Sequence, residues 1–220
     1  MEKYLAVLFD LDGTLTDSGV GITKSAANAF VQMGMEPPCQ QELNLFVGPP
    51  LASSFARYGL NPEQVDEAIR LFRMRYTTIG KFENIPYPGI TELLEKLKAD
   101  GLRLFVATSK PENVAIEVLQ HFNMDMYFEK ICGASLDHSR ESKEAVLQYL
   151  LSECHIEHPV MVGDTQFDVI GALQHDIPCI GVSWGYGNEK SMKDAGAIAI
   201  VSTMDELYQM ITQATLPARI

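Results

Sequence analysis

Apolar and polar positions follow two rhythms along the chain. Residues 5–9 (LAVLF) are an apolar run too short for a stable helix. Their length suits a strand buried on both faces, as in a parallel sheet. Over residues 20–33 the spacing becomes helical, with Ile22, Ala26, Ala29, Phe30 and Met33 on one face, and Gly34 and Pro37-Pro38 end it. Short helices are predicted over 43–47, closed by Gly48-Pro49-Pro50, and over 53–58, stopped by Gly59. Asn61-Pro62-Glu63 supplies a cap, a proline and an acid for a helix running to about residue 79. Residues 16–82 are therefore expected to be helical, with no strand.

From Tyr87-Pro88-Gly89 onward, helices (90–99, 111–122, 141–152, 167–174, 204–211) alternate with short apolar strands (102–107, 130–133, 159–162, 177–182, 197–201). That alternation predicts an α/β fold with a parallel sheet. The helical block interrupts the pattern just after the first strand, and the chain then returns to the same architecture. The expected organisation is an α/β core from 1–15 and 83–220 with an inserted helical cap over 16–82.

Composition narrows the partners. With 46% hydrophobic and 21% charged residues the chain is a folded globular protein. A formal net charge of -12 disfavours a general nucleic-acid binder but leaves room for a small phosphorylated substrate, because one local cation can dominate a site. Neither a charged-then-apolar leader nor a long apolar span is seen, so no membrane association and a cytoplasmic location are expected. Cys39, Cys132, Cys154 and Cys179 are scattered and read as reduced thiols. Cys154, His155 and His158 cluster without an evident fourth zinc ligand.

The candidate chemistry lies at the strand ends. The first strand runs into Asp10-Leu11-Asp12-Gly13-Thr14. Alternation along an extended chain sends Asp10 and Asp12 in similar directions, and two neighbouring carboxylates need a cation or a shared proton. Gly13 lets the backbone turn close to a ligand. The strand over 102–107 leads into Thr108-Ser109-Lys110, and the one over 159–162 into Gly163-Asp164, with Asp168 four residues on. Lys143 opens the helix between them. Ligands of open parallel sheets bind at these carboxyl ends, so the acids, hydroxyls and lysine are expected at one edge. Each also has a plain structural reading: Thr108 and Ser109 as a helix cap, Lys143 as a solvated lysine, Asp164 as a loop acid. Together they suit phosphoryl transfer, with a carboxylate nucleophile, Mg²⁺ on oxygen ligands and donors for the phosphoryl oxygens.

This set resembles the haloacid dehalogenase superfamily of hydrolases. DxDGTL stands as Asp10-Leu11-Asp12-Gly13-Thr14-Leu15, the strand ending in Thr or Ser as FVATSK with Thr108, the lysine as Lys143, and GDxxxD as Gly163-Asp164-Thr165-Gln166-Phe167-Asp168. DLDGTLTDS, VGPPL, YPGI and ATSKP are similar to the phosphoglycolate-phosphatase-like branch. The resemblance implies a Rossmann-like core and a Mg²⁺-dependent phosphatase. Asp10 would be the nucleophile and Asp12 the general acid and base. Asp10, the Asp12 carbonyl and Asp164 would hold the metal, and Asp168 would support the metal site or Lys143. The lysine motif often reads Lys-Pro, but Glu144 follows Lys143 here, and Lys110 competes for part of its charge role.

Substrate selection is expected at Gly48-Pro49-Pro50, which also reads as a plain connector. Arg140 is a candidate for a second anionic group on the substrate, and residues 184–187 (WGYG) should lie near the same sheet edge. Phosphoglycolate is the leading substrate; nucleoside monophosphates, sugar phosphates or a phosphomutase reaction are alternatives on the same core. A phospho-acceptor signalling module also gathers acids, a hydroxyl and a lysine at one edge, but it would lack DxDGTL and the helical insert.

Overall fold

The computed structural model describes residues 3–135, 137 and 139–213. Met1 and Glu2, on which the expected absence of a leader partly rests, lie outside them. In chain order the elements are β1 (Ala6–Phe9), β2 (Thr16–Asp17), α1 (Gly19–Gln32), α2 (Gln40–Asn44), α3 (Leu51–Ala56), α4 (Pro62–Tyr76) and β3 (Ile85–Pro86). Then come α5 (Ile90–Ala99), β4 (Arg103–Pro111), α6 (Glu112–His121), β5 (Lys130–Ala134), α7 (Lys143–Glu153) and β6 (Pro159–Gly163). The chain continues through α8 (Gln166–Leu173), β7 (Cys179–Val182), α9 (Glu189–Asp194), β8 (Ala199–Val201) and α10 (Met204–Gln213).

Six strands form one parallel sheet in the order β5-β4-β1-β6-β7-β8. All four β1 residues are fully buried because both sheet faces are covered. Val7 and Phe9 point into the core formed with α5, α6 and α10, and Ala6 and Leu8 into the one formed with α7, α8 and α9. An unbroken apolar run is what a strand buried on both sides requires. Order reverses at β1, which has β4 on one side and β6 on the other. The carboxyl end of β1 is thus the switch point where ligands of doubly wound sheets bind.

The segment between β1 and β4 carries α1–α4. Phe30, Phe46, Phe55 and Tyr58 pack ring against ring there, with centroids 4.9–6.3 Å apart. Asn61 caps α4 as expected: its side chain accepts from Gln64 N–H at 2.9 Å, and Gln64 answers at Asn61 N–H at 3.0 Å. No helix among the described residues is long and apolar enough to cross a membrane.

Several expectations are corrected. Residues 16–82 are not free of strand: Thr16–Asp17 pairs antiparallel with Ile85–Pro86, forming a two-stranded ribbon where the chain leaves and rejoins the sheet. A two-residue ribbon is too short to show as a period in the sequence. The two short helices begin earlier than predicted, because Glu42 bonds back to Cys39 N–H at 3.1 Å and Pro50 stands just before α3. β4 continues past Ala107 to Pro111, with a break in its pairing to β5 between those residues. The residue before a proline is disfavoured in helix, so α6 starts only after Pro111. Thr108 and Ser109 are therefore strand residues and not its cap. Helix α9, begun by Asn188 accepting from Ser191 N–H at 3.1 Å, was not foreseen.

Candidate active site

The carboxyl ends of β1, β4 and β6 bring Asp10, Asp12, Thr108, Asp164 and Asp168 together, as their positions in the sequence suggested. Asp10 accepts Leu11 N–H at 2.8 Å and lies 2.9 Å from the Lys143 ammonium. Lys143 also meets Asp168 at 2.8 Å and donates to the Ala107 carbonyl at 2.8 Å, so its ammonium lies among three oxygens. It starts α7, where Ser142 caps the helix, and its stem crosses α8 at Gly171, whose Cβ would lie 2.7 Å from Lys143 Cγ. Lys143 is buried and paired, not solvated. The missing Lys-Pro does not displace it, because its position is set by the helix cap and by Gly171.

Asp168 sits in the first turn of α8 and turns back to accept the Thr165 N–H at 3.0 Å and the Thr165 hydroxyl at 2.8 Å. It can do so because Gly163 has no side chain: a Cβ there would occupy the Asp168 carboxylate. Asp164 accepts the Thr14 hydroxyl at 3.2 Å on one oxygen and the Tyr186 N–H at 2.8 Å on the other. Gly13, Gly185 and Gly187 wall it in, and a Cβ on any of them would collide with it. Gly13 also has φ +82°, which side-chain-bearing residues rarely adopt. The spacing of DxDGT is thus a packing requirement around Asp164.

Asp12 is held by the other lysine: Lys110 Nζ lies 2.6 Å from both carboxylate oxygens. The two lysines divide the motif's acids, Lys143 on Asp10 and Lys110 on Asp12.

Burial raises the pKa of Asp10, and the charge of Asp168 adds to this, while Lys143 and the Thr108 hydroxyl pull it back. Burial and the charges of Asp168 and Asp10 push Asp164 up to about 8, with Tyr186 N–H and Thr14 opposing. One carboxylate oxygen each from Asp10, Asp164 and Asp168 lies within 4.8 Å of the others, a hard-oxygen set that fits Mg²⁺. Once all four acids are ionised, four carboxylates against two ammoniums leave two negative charges, which a divalent cation would balance.

The outlying candidates divide. Gly48, at φ +101°, lies against the loop after β6, where its Cβ would be 3.1 Å from Thr165 Cγ2. Gly48 thus lies against the loop that carries Asp164. Ser109 follows Thr108 at the rim, half-buried. Arg140 is engaged away from the acids: its guanidinium lies 3.3 Å from Glu112 and 3.8 Å above the Tyr149 ring. Missed entirely were Tyr76, which meets Lys110, and the particular contacts of residues 184–187. Trp184 donates to the Thr14 carbonyl at 3.1 Å, and the Tyr186 hydroxyl donates to Asp17. The closely spaced glycines of WGYG were the available signal.

An acid cluster at the switch point of a parallel sheet, with a lysine on the first acid, suits chemistry on a phosphoryl group. The chain belongs to the haloacid dehalogenase-like hydrolase family, whose model matches residues 7–182. It is 41% identical over 194 residues to a 5'-nucleotidase of Pseudomonas aeruginosa, covering 87% of this chain and 88% of that one. It is 40% identical to the tyrosine-protein kinase PtkA of Mycobacterium tuberculosis, covering 96% and 73%. A phosphoglycolate phosphatase of Pseudomonas aeruginosa is 25% identical over 94% of this chain and 80% of its own. The crystal structure of a predicted phosphatase from Clostridium acetobutylicum superposes with a TM-score of 0.91 at 43% identity, over 96% of this chain and 99% of that one.

Proposed function

We propose that this phosphatase hydrolyses small phosphate monoesters through an aspartyl-phosphate on Asp10, with 5'-nucleotides as the leading substrate class. The observation that carries the reading is the pairing of Asp10 with Lys143 beside Asp164, with Asp12 two residues on. An Asp10 oxygen attacks phosphorus while the bond to the substrate alcohol breaks, and Asp12 gives its proton to the leaving oxygen. Asp12 then takes a proton from water as the water oxygen attacks the same phosphorus, which frees Asp10 and releases phosphate. Lys143 offsets negative charge on Asp10 and the phosphoryl oxygens, and Thr108 and Ser109 supply hydroxyl donors beside them. Asp10, Asp164 and the Asp12 carbonyl would hold Mg²⁺, with Asp168 steadying Lys143. When bound, the metal supplies positive charge opposite the phosphoryl group.

In this reading residues 16–82 form the cap and 1–15 with 83–220 the core. Gly48-Pro49-Pro50 is the cap loop that meets the leaving group, and closure excludes water in the cytoplasm. Nucleotides rank above phosphoglycolate for two reasons. The nucleotidase relative is 41% identical against 25% for the phosphoglycolate phosphatase. Arg140, expected to meet a second anionic group such as a carboxylate, is taken up by Glu112 and Tyr149.

The test is phosphate release from nucleoside monophosphates, phosphoglycolate and sugar phosphates, with Mg²⁺ and with chelator, by wild type and Asp10→Asn. Metal-dependent release that vanishes in the variant, fastest on a nucleotide, supports the reading. Release that persists in Asp10→Asn refutes the nucleophile. Because a kinase-named relative is 40% identical, the panel includes a nucleoside triphosphate with a tyrosine-bearing acceptor. Label retained on the acceptor would move the assignment to phosphoryl transfer.

A further inference from the structure

The two-stranded ribbon carries buried polar groups that the hydrolytic scheme does not use. β2 and β3 pair Thr16 with Pro86 and Asp17 with Ile85, and one further step of that register sets Ser18 opposite Asn84. Alternation along the strands divides the ribbon into two faces. Asp17 and Ile85 share one, where Asp17 meets Tyr186 and Ile85 is exposed. Thr16, Ser18 and Asn84 share the other and are 0%, 1% and 6% exposed. Thr16 Oγ1, Ser18 Oγ and both polar atoms of the Asn84 carboxamide have no hydrogen-bond partner among the described residues. Ser18 precedes α1, but its side chain makes no cap bond there. The ribbon adjoins the loop that carries Asp12: Thr16 forms a backbone bridge with Asp12, and its carbonyl accepts the Gly13 N–H at 2.8 Å.

We infer that Asn84, Ser18 and Thr16 form a subsite for uncharged hydroxyl groups on the alcohol portion of the substrate, such as a sugar carries. The inference rests on the proposed hydrolysis of phosphate monoesters. Burying a polar group without a partner is costly, and four such atoms lie on this one face. Ligand hydroxyls can satisfy all of them: the amide nitrogen donates, its oxygen accepts, and the two side-chain hydroxyls do both. The set carries no charge. The nearby cations of α1, α4 and the turn before β3 are already engaged. Lys81 meets Glu117, and Arg75 and Lys24 meet Glu83 at 2.7 and 2.9 Å. A substrate carboxylate would gain no ion pair from these three residues, whereas a sugar hydroxyl would gain hydrogen bonds in a buried setting. The position suits the same end of the substrate. The phosphoryl group goes to Asp10, and the ribbon adjoins Asp12, the proposed proton donor to the leaving oxygen. The alcohol therefore lies on the ribbon's side of the reacting bond.

Substrates that differ only in their hydroxyls separate this role from a structural one. The kcat/KM for phosphate release is measured on a nucleoside 5'-monophosphate, on its 2',3'-dideoxy counterpart and on ribose 5-phosphate. Wild type, Asn84→Leu and Ser18→Ala are compared with saturating Mg²⁺. An analogue that leaves buried polar groups unpaired is strongly rejected, so wild type should favour the hydroxylated nucleotide over the dideoxy compound by about tenfold or more. Asn84→Leu should bring that ratio to within about twofold of unity, through loss on the hydroxylated substrate, and Ser18→Ala should lower it part of the way. Thermal unfolding without substrate is the second readout. Replacing an unpartnered buried polar group by an apolar one of similar size is nearly neutral or stabilising. Neither variant should therefore melt more than about 2 °C below wild type. Faster release from ribose 5-phosphate than from the nucleotide, with the same loss in Asn84→Leu, would support the subsite and make a sugar phosphate the source of the hydroxyls. Equal wild-type rates on the hydroxylated and dideoxy nucleotides, or an unchanged ratio in both variants, would overturn the subsite and leave the phosphatase reading standing. So would a lower melting temperature with equal losses on both nucleotides, which marks a structural role. Release from none of the substrates would refute the phosphatase reading and the subsite with it. Ser18→Ala removes a single oxygen, so a folding failure of Asn84→Leu leaves the test decisive.

Discussion

Replacing Lys143 by methionine tests the electrostatic design of the site most directly. The ammonium sits 2.9 Å from Asp10 and 2.8 Å from Asp168, with its side chain 4% exposed. Methionine keeps most of the stem that passes Gly171 and removes only the charge and the donors. Breaking a buried pair by deleting one partner costs about 3–5 kcal/mol, because the remaining charge is left uncompensated. Here two carboxylates and the Ala107 carbonyl lose their partner at once, which places the expected loss near the top of that range, about 4–5 kcal/mol in chelator near pH 8. Lowering the pH should shrink the deficit. Without Lys143 the pKa of Asp10 rises further, so the native state binds protons that the unfolded state releases, and stability recovers as pH falls. Mg²⁺ should bind the variant at least as tightly as wild type, since the site has gained one net negative charge, yet turnover should drop by at least about 100-fold. Urea unfolding followed by the fluorescence of the single tryptophan, Trp184, which donates to Thr14 at the site, reads both stability and Mg²⁺ binding. A variant within about 1 kcal/mol of wild type in chelator would refute this balance of charges.

Four further outcomes follow from the same geometry. Gly13→Ala forces a Cβ into Asp164 at φ +82°, so Mg²⁺ binding measured by calorimetry should be lost. Gly34→Ala, at φ +74° with nothing within 4 Å, should instead cost only about 1–2 kcal/mol in urea unfolding and leave turnover intact. Phe30→Ala removes a ring that touches Phe46, Phe55 and Tyr58 and should destabilise the chain by about 3–5 kcal/mol in the same assay. In chelator, melting temperature should fall as pH rises from about 4 to 8. Asp164 is held up to about 8 in the fold and ionises near 3.8 when unfolded, so the native state binds the extra proton across that window. Asp164→Asn should flatten this slope, and an unchanged slope would count against the burial of that charge.

Much of this was legible in the sequence because the signals were local. The run over residues 5–9 read as a doubly buried strand, which holds for Ala6–Phe9 while Leu5 stays exposed, and Asp10, Asp12, Asp164 and Asp168 followed from strand ends that apolar runs make visible. Asn61-Pro62 announced α4 within one turn of its true extent. What escaped has a common cause, which is that its determinants lie far apart along the chain. The β2–β3 ribbon joins residues about seventy apart with two residues on each side. Neither segment carries a period long enough to detect. Arg140 was placed by its distance from Lys143 in sequence, but Glu112, from the start of another helix, holds it. The division of labour between two lysines was half visible. Lys110 was noted as a rival to Lys143, and the rivalry dissolves once each is seen to hold a different acid.

The glycines show how the two kinds of information meet. DxDGT, GDxxxD and WGYG read as separate motifs, and each glycine in isolation suggests only a turn. In the fold, Gly13 and Gly185 converge from two loops on the Asp164 carboxylate, Gly187 lies against the Asp164 backbone, and Gly163 and Gly171 clear the way for Asp168 and Lys143. A buried acid pushed up to about 8 is unstable as an anion unless its surroundings are fixed. Three missing side chains allow the backbone to close around Asp164 so that Tyr186 N–H and Thr14 can reach it. Any residue larger than glycine at these positions would hold the loops apart and weaken both hydrogen bonds. The motif glycines are therefore part of the electrostatics of the site and not only of its turns.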